Sequence, residues 1–312
     1  MIAHLLNTVG PVFLIVLAGF LAARRGLFDA PTVDALMRYA IRFAIPCLLF
    51  RAVSRIDLGV AYDARTLLSF YAPALLCFAL AGLLARRAFG RRPGEAVAVG
   101  FAGLFSNLVL LGLPVVERTF GAGALPTAYA IVSLHAPFCY ALGIVSMELL
   151  RADGRPWPET ARTVARTLFG NAMMIGIGLG FAVNLAGLGV PAPVGAALDM
   201  IAASALPIAL VGLGGTLVRY ALSERVGETL AVIAISLVLH PTLALGLATL
   251  LGVAAADRGT LVLMAAMAPG ANAYLFASMY GRAEGTAAAA VLLGTVSAVV
   301  TVTLWSYALA GG

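Results

Sequence analysis

Residues 105–114 read Phe-Ser-Asn-Leu-Val-Leu-Leu-Gly-Leu-Pro, and residues 267–274 read Met-Ala-Pro-Gly-Ala-Asn-Ala-Tyr. Each stretch places an asparagine near glycine and proline inside a long apolar run. Proline and glycine interrupt helices, and an interruption at membrane depth is tolerated only where protein or a water-filled cavity satisfies the freed backbone groups. Subtracting 161 from Pro269 gives 108, which lies beside Asn107. We therefore predict two broken membrane helices at corresponding positions of two related halves.

The same offset relates other parts of the chain, because three short motifs occur twice. Gly19-Phe20, Gly26-Leu27 and Ala44-Ile45-Pro46 recur 161 residues later as Gly180-Phe181, Gly187-Leu188 and Ala205-Leu206-Pro207. A constant offset of about half the chain indicates an internal repeat. Broken helices in corresponding positions of two repeats are typical of the binding site of a secondary transporter.

The composition places this chain in a membrane. It is 62% hydrophobic and 11% charged, with a mean hydropathy of +1.01, whereas soluble domains carry about a quarter charged residues. Ten apolar runs are long enough to cross the bilayer; they lie roughly at 5–23, 33–53, 65–86, 95–117, 124–149, 165–187, 194–219, 227–252, 258–280 and 286–309. The predicted architecture is all-helical, with a first five-helix repeat at 1–150, a cytoplasmic linker at 151–166 and a second repeat at 167–312. Because five is odd, the second repeat is inverted.

The orientation of the chain in the membrane is predicted from the positions of its arginines, since the chain contains no lysine. With the N-terminus outside, thirteen arginines fall on cytoplasmic connections and five on the opposite side. Cytoplasmic loops carry the excess of positive charge, so both termini are predicted outside. The net charge of +6 is then a consequence of topology and gives no reason to expect a nucleic-acid partner.

Features of enzymes and metalloproteins are missing from the sequence. Cys47, Cys77 and Cys139 show no metal-ligand spacing and are interpreted as small buried apolar residues. No phosphate-cradling glycine motif, nucleophile elbow or zinc-type histidine pair occurs. We therefore expect neither an enzyme nor a resident cofactor or metal.

The predicted break points suit an anion. The N-termini of half-helices expose N–H groups and a partial positive charge, and Asn107 and Asn272 add amide donors. Ser106, Pro269 and Gly270 supply the flanking backbone, so these five residues form the candidate substrate site. The alternative is that the asparagines only hold helices together and the prolines only kink them.

A second helix breaker is predicted two turns after Asn107. Gly112 and Pro114 form a Gly-x-Pro sequence there, and they are interpreted as part of the helix break at the crossing.

Ionisable residues within the spans are further candidates, because charge at membrane depth is costly. Arg42 either neutralises an anionic substrate or extends its charge to the interface. Asp199 either takes up a proton or Na⁺ or faces the outer surface. His135 and His240 are either proton-coupling groups or hydrogen-bonded helix contacts.

Several of these stretches resemble motifs of the auxin efflux carrier family. They are Phe43-Ala44-Ile45-Pro46-Cys47-Leu48-Leu49-Phe50, the segment from Ser106-Asn107 to Gly112-Leu113-Pro114, His240-Pro241, and the segment from Met267-Ala268-Pro269 to Tyr280. The resemblance covers essentially the full length of the chain. Within the family, the chain is similar more narrowly to bacterial members, which are often labelled malonate or organic-anion permeases. The chain departs from plant members at Ser106, where they have a proline, and in its short linker.

The resemblance implies a fold like that of sodium/proton antiporters and bile-acid symporters. Spans 1, 2, 6 and 7 would form a scaffold and spans 3–5 and 8–10 a transport domain that moves as an elevator. Asn107 matches the crossover asparagine of span four, and Pro269 matches the crossover proline of span nine. Family members carry organic carboxylates and are commonly homodimers through the scaffold.

We therefore expect a carrier of a small organic anion, such as malonate or another carboxylate, in a bacterial cytoplasmic (inner) membrane, with possible coupling to H⁺ or Na⁺. One alternative is a cation/proton antiporter or sodium-coupled, bile-acid-like symporter on the same fold. Another is a membrane sensor or scaffold that transports nothing.

Overall fold

The computed structural model describes residues 5–150, 157–220 and 225–310, so the first six residues of the predicted linker lie outside the described ranges. Within these ranges the chain is helical and contains no strand. One isolated antiparallel bridge joins Ser106 and Pro269. The prediction of an all-helical chain is confirmed.

The helices of the first half, in chain order, are α1 Gly10–Arg24, α2 Ala30–Tyr39, α3 Ile45–Val53, α4 Leu58–Ala61, α5 Ala64–Arg87, α6 Pro93–Leu104, α7 Leu113–Phe120 and α8 Leu125–Leu150. Those of the second half are α9 Trp157–Phe169, α10 Ala172–Leu185, α11 Ala192–Leu217, α12 Val226–Ala234, α13 His240–Leu250, α14 Ala255–Ala265, α15 Ala271–Tyr280 and α16 Glu284–Ala310. Short π-helical turns occupy Leu5–Val9, Ala40–Ala44, Leu108–Gly112 and Ile235–Leu239, and a 3₁₀ turn occupies Ala122–Ala124.

Six of the described helical segments are long and apolar enough to cross a membrane: Asn7–Arg24, Ala64–Arg87, Ala122–Leu150, Ala192–Leu217, Val226–Leu250 and Glu284–Leu309. A seventh is obtained if Ala161–Thr167 and Ala172–Leu185, which meet at 79°, count as one bent span. Of the remaining predicted runs, 33–53 lies in one helical stretch that passes through a π turn, whereas 95–117 and 258–280 are each interrupted between two helical segments. A multi-pass membrane protein is therefore shown, whereas the number of ten spans stays a prediction.

Each π-helical turn ends two residues before a proline, namely before Pro11, Pro46, Pro114 and Pro241. Proline has no N–H to donate and its ring crowds the preceding turn. The wider π turn supplies a bond from residue i to residue i−5, such as that from the Leu113 amide to the Leu108 carbonyl. These helices therefore continue through their prolines.

This arrangement corrects one part of the sequence interpretation. The first broken helix is interrupted at Phe105–Asn107, whereas Gly112 and Pro114 lie in continuous helical turns. Gly112 instead allows close packing, because a Cβ there would lie 2.8 Å from the Met264 sulfur.

The two halves share helix ends at the offset of the sequence repeat. α6 ends at Leu104 and α14 at Ala265, and 265 − 104 = 161. Gly26 and Gly187, also 161 apart, both adopt positive φ (76° and 63°) directly after a helix. Two further positive-φ glycine pairs, Gly90 with Gly252 and Gly121 with Gly281, are 162 and 160 residues apart. These backbone offsets are close to the 161-residue offset of the sequence motifs, and the inverted repeat stays a prediction.

Close backbone contacts bind α1 to α11 and α10 to α3. A Cβ on Gly19 would overlap the Val211 carbonyl of α11, and one on Gly214 would overlap the Val16 carbonyl of α1. Likewise, a Cβ on Gly180 of α10 would lie 3.0 Å from the Phe50 carbonyl oxygen of α3. Small residues permit such approach between membrane helices. These four helices pack together with α2 and form one packed group.

A buried ion cluster holds another set of helices together at their N-terminal ends. Arg91 donates to the Glu228 carboxylate of α12 at 2.8 and 3.0 Å, to Glu95 of α6 at 2.9 Å and to Thr286 of α16 at 2.9 Å. The Glu228 hydrogen bonds raise the pKa of Arg91, so its charge persists. This cluster positions α6, α12 and α16 relative to one another.

Replacing Gly214 by alanine tests the close contact between α1 and α11. We expect Gly214→Ala to lower the free energy of unfolding by about 1–3 kcal/mol, because the new Cβ meets backbone that cannot rotate away. The measurement is thermal unfolding of the full chain in detergent. Gly178→Ala is the matched control, since a Cβ there meets no atom within 4 Å. Equal melting temperatures for the two variants would contradict this account.

Candidate functional site

The two interrupted helices meet and hydrogen-bond to each other. After α6 the chain is extended at Phe105 (φ −82°, ψ 92°), and helical turns resume at Leu108. The backbone N–H of Asn107 donates to the Ala268 carbonyl at 2.8 Å, and the backbone N–H of Gly270 donates to the Phe105 carbonyl at 2.9 Å. The crossing, which we define as residues 105–107 and 266–270, thus satisfies part of its own backbone.

Local sequence explains the second interruption. Pro269 has no N–H and disfavours a helical conformation at the residue before it, so α14 ends at Ala265 and α15 starts only at Ala271. Gly294 of α16 makes room for this segment, because a Cβ there would lie 2.8 Å from Pro269 Cδ. The helical gap of residues 266–270 therefore includes Pro269, the position at which the sequence predicts a break.

Two polar side chains of the crossing have unused hydrogen-bonding groups. Asn107 is 6% exposed, and its Nδ2 has no partner among the described residues. Ser106 is 1% exposed, and its hydroxyl is likewise unpaired within the described part of the chain. Buried polar groups are normally paired, so these two groups are available to hydrogen-bond a ligand.

Asn272 lies in the first turn of α15 and is oriented by α8. The Tyr140 hydroxyl donates to Asn272 Oδ1 at 3.2 Å. Because the oxygen of the amide is engaged, its NH₂ group remains to donate elsewhere. The two predicted asparagines therefore both present amide N–H groups near the crossing.

A cavity of about 130 Å³ adjoins these groups. It reaches from the crossing to Asn171 at the start of α10, and residues of α2, α3, α8, α10 and α15 also contribute to its wall. The lining residues are Met37, Ile41, Leu49, Phe105, Ser106, Asn107, Leu108, Val109, Leu110, Val132, His135, Ala136, Asn171, Met173, Met174, Ile177, Gly270, Ala271, Asn272 and Leu275. Five of the predicted site residues are among them: Ser106, Asn107, His135, Gly270 and Asn272.

Arg42 does not line this cavity. Its side chain is exposed, while Ile41 beside it and Met37 one turn earlier form part of the wall. Along one helix, neighbouring residues face different directions. The structure therefore separates Arg42 from the asparagines.

Asp199 also lies away from the crossing and is ion-paired. Arg51 donates to both carboxylate oxygens of Asp199, at 2.7 and 2.8 Å, and Arg55 donates at 3.2 Å. Arg51 is 6% exposed and Asp199 48%. The forked arginine–carboxylate geometry links α3 to α11 and gives the Asp199 charge a local partner.

The two histidines lie on either side of Phe70. His135 packs against Phe105 and Phe70 with ring centroids 4.8 and 5.8 Å apart, and His240 packs 5.1 Å from Phe70. His240 Nε2 lies 3.3 Å from the Phe70 carbonyl, and its Nδ1 is unpaired among the described groups. Only His135 of this pair reaches the cavity.

Three features of the site were not predicted. Asn171 caps α10 by accepting from the Met173 amide at 2.9 Å and also lines the cavity; an asparagine directly before an apolar run is a detectable cap signal. Tyr140 and the methionines of the wall gave no sequence signal, because a tyrosine or methionine in an apolar helix usually only packs.

The site offers neutral donors and no permanent charge. Among the described residues that line the cavity, none is an arginine, aspartate or glutamate. The N-terminus of α15 adds backbone N–H groups without intrahelical partners and a partial positive charge. Such a set of donors fits an anion better than a cation.

Comparison with known proteins shows which family the chain belongs to. The model of a family described as "Membrane transport protein" matches residues 4–306. A protein of Rhizobium meliloti (strain 1021) named "Putative malonate transporter" is 27% identical, with 99% of this chain and 97% of the relative covered. A Methanothermobacter thermautotrophicus protein named "Uncharacterized transporter" is 26% identical, with 97% and 98% covered.

These matches confirm the predicted family resemblance and indicate a transporter, as expected, and not an enzyme. The chain belongs to the membrane transport protein family, which includes the auxin efflux carriers, and is a multi-pass membrane transporter.

Proposed function

We propose that this chain is a secondary transporter of small organic anions, chiefly carboxylates, which bind where the two broken helices meet. The observation that carries the proposal is the buried side-chain NH₂ group of Asn107, which lies at the wall of a cavity and has no partner among the described residues. A carboxylate there would accept from Asn107 and Asn272 and from backbone N–H groups at the start of α15. Malonate is a candidate because a relative bears that name.

The composition of the wall favours this function over cation transport. A proton- or sodium-driven antiporter usually needs acidic ligands at the crossing, since Na⁺ prefers charged or carbonyl oxygens. No aspartate or glutamate lines the cavity among the described residues. Three residues were considered for coupling. Asp199 is paired with arginine and His240 does not line the cavity, so His135 is the candidate for proton coupling.

The same proposal includes a ten-span chain built of two inverted repeats that works as an elevator. The shared helix ends at an offset near 161 support the repeat. One wall of the cavity comes from the packed group of α1, α2, α3, α10 and α11, the proposed scaffold. The other wall comes from the crossing and α8, part of the proposed transport domain. Sliding one group past the other would expose the site to each side in turn.

We also place the protein in a bacterial cytoplasmic membrane with both termini outside, in accordance with the arginine distribution. A homodimer through the proposed scaffold is included on the strength of the family resemblance. The exposed apolar side chains of Met200 and Leu179 lie on that part of the molecule.

Asn107→Ala tests the site. We expect the variant to lose most carboxylate binding and uptake, at least tenfold, because it removes the unpaired donor. The measurements are thermal shift of the purified chain with mono- and dicarboxylates and uptake into proteoliposomes. Asn7→Ala is the matched control, since the Asn7 side chain is exposed and does not line the cavity. Wild-type uptake by Asn107→Ala would refute the assignment.

Leu27 and Leu188 provide a test of inversion, because they are related by the repeat and are 74% and 65% exposed. In a variant whose three native cysteines are replaced, we expect an impermeant maleimide to label Leu188→Cys on intact cells. Leu27→Cys should react only after the membrane is opened. Labelling of both positions from the same side would rule out inverted repeats.

A further inference from the structure

We propose that Arg118 is a positioning residue of the transport cycle. Its hydrogen bonds to the residues just before α1 hold the substrate site in its present arrangement, and they break each time the site moves. We call Arg118 together with the backbone carbonyls of Asn7 and Thr8 the latch. This inference rests on the proposed function, because it needs the proposed transport domain to slide past the proposed scaffold.

The latch consists of two hydrogen bonds from one guanidinium group. Arg118 Nε donates to the Thr8 carbonyl at 2.9 Å, and Arg118 Nη2 donates to the Asn7 carbonyl at 2.6 Å. The planar guanidinium holds its donors in a fixed fork, so one orientation of the side chain engages both carbonyls. Arg118 lies in α7, whereas the carbonyls belong to the π turn Leu5–Val9 that leads into α1. Since only backbone acceptors are involved, Asn7→Ala keeps the latch intact.

The sequence around Pro11 explains why these carbonyls accept from a side chain. Pro11 has no N–H, so it cannot donate to the Asn7 carbonyl four residues earlier. A carbonyl oxygen has two lone pairs and can accept two hydrogen bonds. This part of the helix therefore lacks one backbone donor, and Arg118 supplies donors from another helix.

A short helical segment connects the latch to the substrate site. Helical turns run without interruption from Leu108 to Phe120, through the π turn and α7. Asn107 and Arg118 therefore lie at the two ends of one segment, about 16 Å apart at 1.5 Å per residue. Because such a segment moves as a unit, Asn107 cannot slide far along α1 while the latch is closed.

A second cavity, of about 480 Å³, lies beside the latch and separates the two groups of helices there. Its described lining shares no residue with that of the substrate cavity. Pro114 of α7 and Tyr129 of α8 line one side, and Ile15 of α1, Leu48 of α3 and Leu206 of α11 line the other. Because the groups are not closely packed at this place, the two bonds of the latch should have a measurable effect on their arrangement.

The partners of Arg118 differ from those of arginines inside each group. Arg51 pairs with the Asp199 carboxylate within the proposed scaffold, and Arg91 pairs with the Glu228 carboxylate within the proposed transport domain. Arg118 instead donates to neutral carbonyls, so its release does not have to overcome the attraction between two full charges. The latch can therefore open and close in each cycle.

Distances between spin labels test the latch without any substrate. In a variant whose three native cysteines are replaced, Leu14→Cys of α1 and Leu149→Cys of α8 would carry the labels, since these side chains are 61% and 73% exposed. Pulsed electron paramagnetic resonance of the full chain gives the distance distribution. We expect Arg118→Ala to raise the population of a second distance at least threefold. Arg118→Lys keeps the charge but lacks the fork, so its effect should be smaller.

Identical distance distributions with and without Arg118 would overturn the inference. The matched control is the label pair Leu14→Cys and Leu179→Cys, because Leu179 is 56% exposed and lies in α10 of the proposed scaffold. This second pair should not respond to Arg118→Ala. An equal response of both pairs would indicate general loosening of the fold and would also count against the latch.

Closing the latch covalently gives an independent test. Thr8→Cys and Arg118→Cys would be joined by a short bis-methanethiosulfonate, which reductant removes. We expect the joined protein to bind carboxylates in a thermal-shift assay but to lose at least tenfold in uptake rate until reductant is added. Joining Asp34→Cys to Arg219→Cys is the control, since this pair lies within the proposed scaffold and should leave uptake unchanged. Undiminished uptake by the protein joined at positions 8 and 118 would overturn the inference.

These outcomes differ from failure of the proposed function. A second distance that depends on Arg118, in a protein that binds and transports no organic acid, would overturn the anion-carrier assignment and leave the latch. Carboxylate uptake combined with distances that do not respond to Arg118→Ala would overturn the latch alone.

Discussion

Two backbone hydrogen bonds, from Asn107 to Ala268 and from Gly270 to Phe105, hold the centre of this protein together. Interrupting two helices in an apolar interior frees N–H and C=O groups whose burial without partners is costly. By interrupting both helices at the same place, the fold lets each segment satisfy the other. The remaining free groups are then concentrated beside one cavity, where a ligand can use them.

Close helix packing keeps the two sides of this cavity distinct. Glycines bring α1 against α11 and α10 against α3 to backbone contact, and the Arg51–Asp199 pair ties α3 to α11. Elsewhere, the Arg91 cluster joins α6, α12 and α16. The cavity itself lies between α2, α3 and α10 on one side and α8, α15 and the crossing on the other.

The apolar helices and the interruption at Pro269 could be predicted from the sequence, because composition and the Pro269 region carry strong local signals. The further break predicted at Gly112 and Pro114 is absent, since a π turn allows the helix to pass through this proline. The pairing of Asp199 with Arg51 and the outward direction of Arg42 depend on how distant helices pack. Periodicity within one helix does not contain that information.

The uncharged lining of the cavity determines how the membrane voltage acts on the proposed carrier. With no fixed charge of its own, the empty site would cross the field without electrical work, while the site loaded with a monoanion would carry one negative charge. Moving an elementary charge across 100 mV corresponds to about 2.3 kcal/mol. An interior-negative cell would therefore drive such an anion outward by electrical force alone, and accumulation inside would require a co-transported cation.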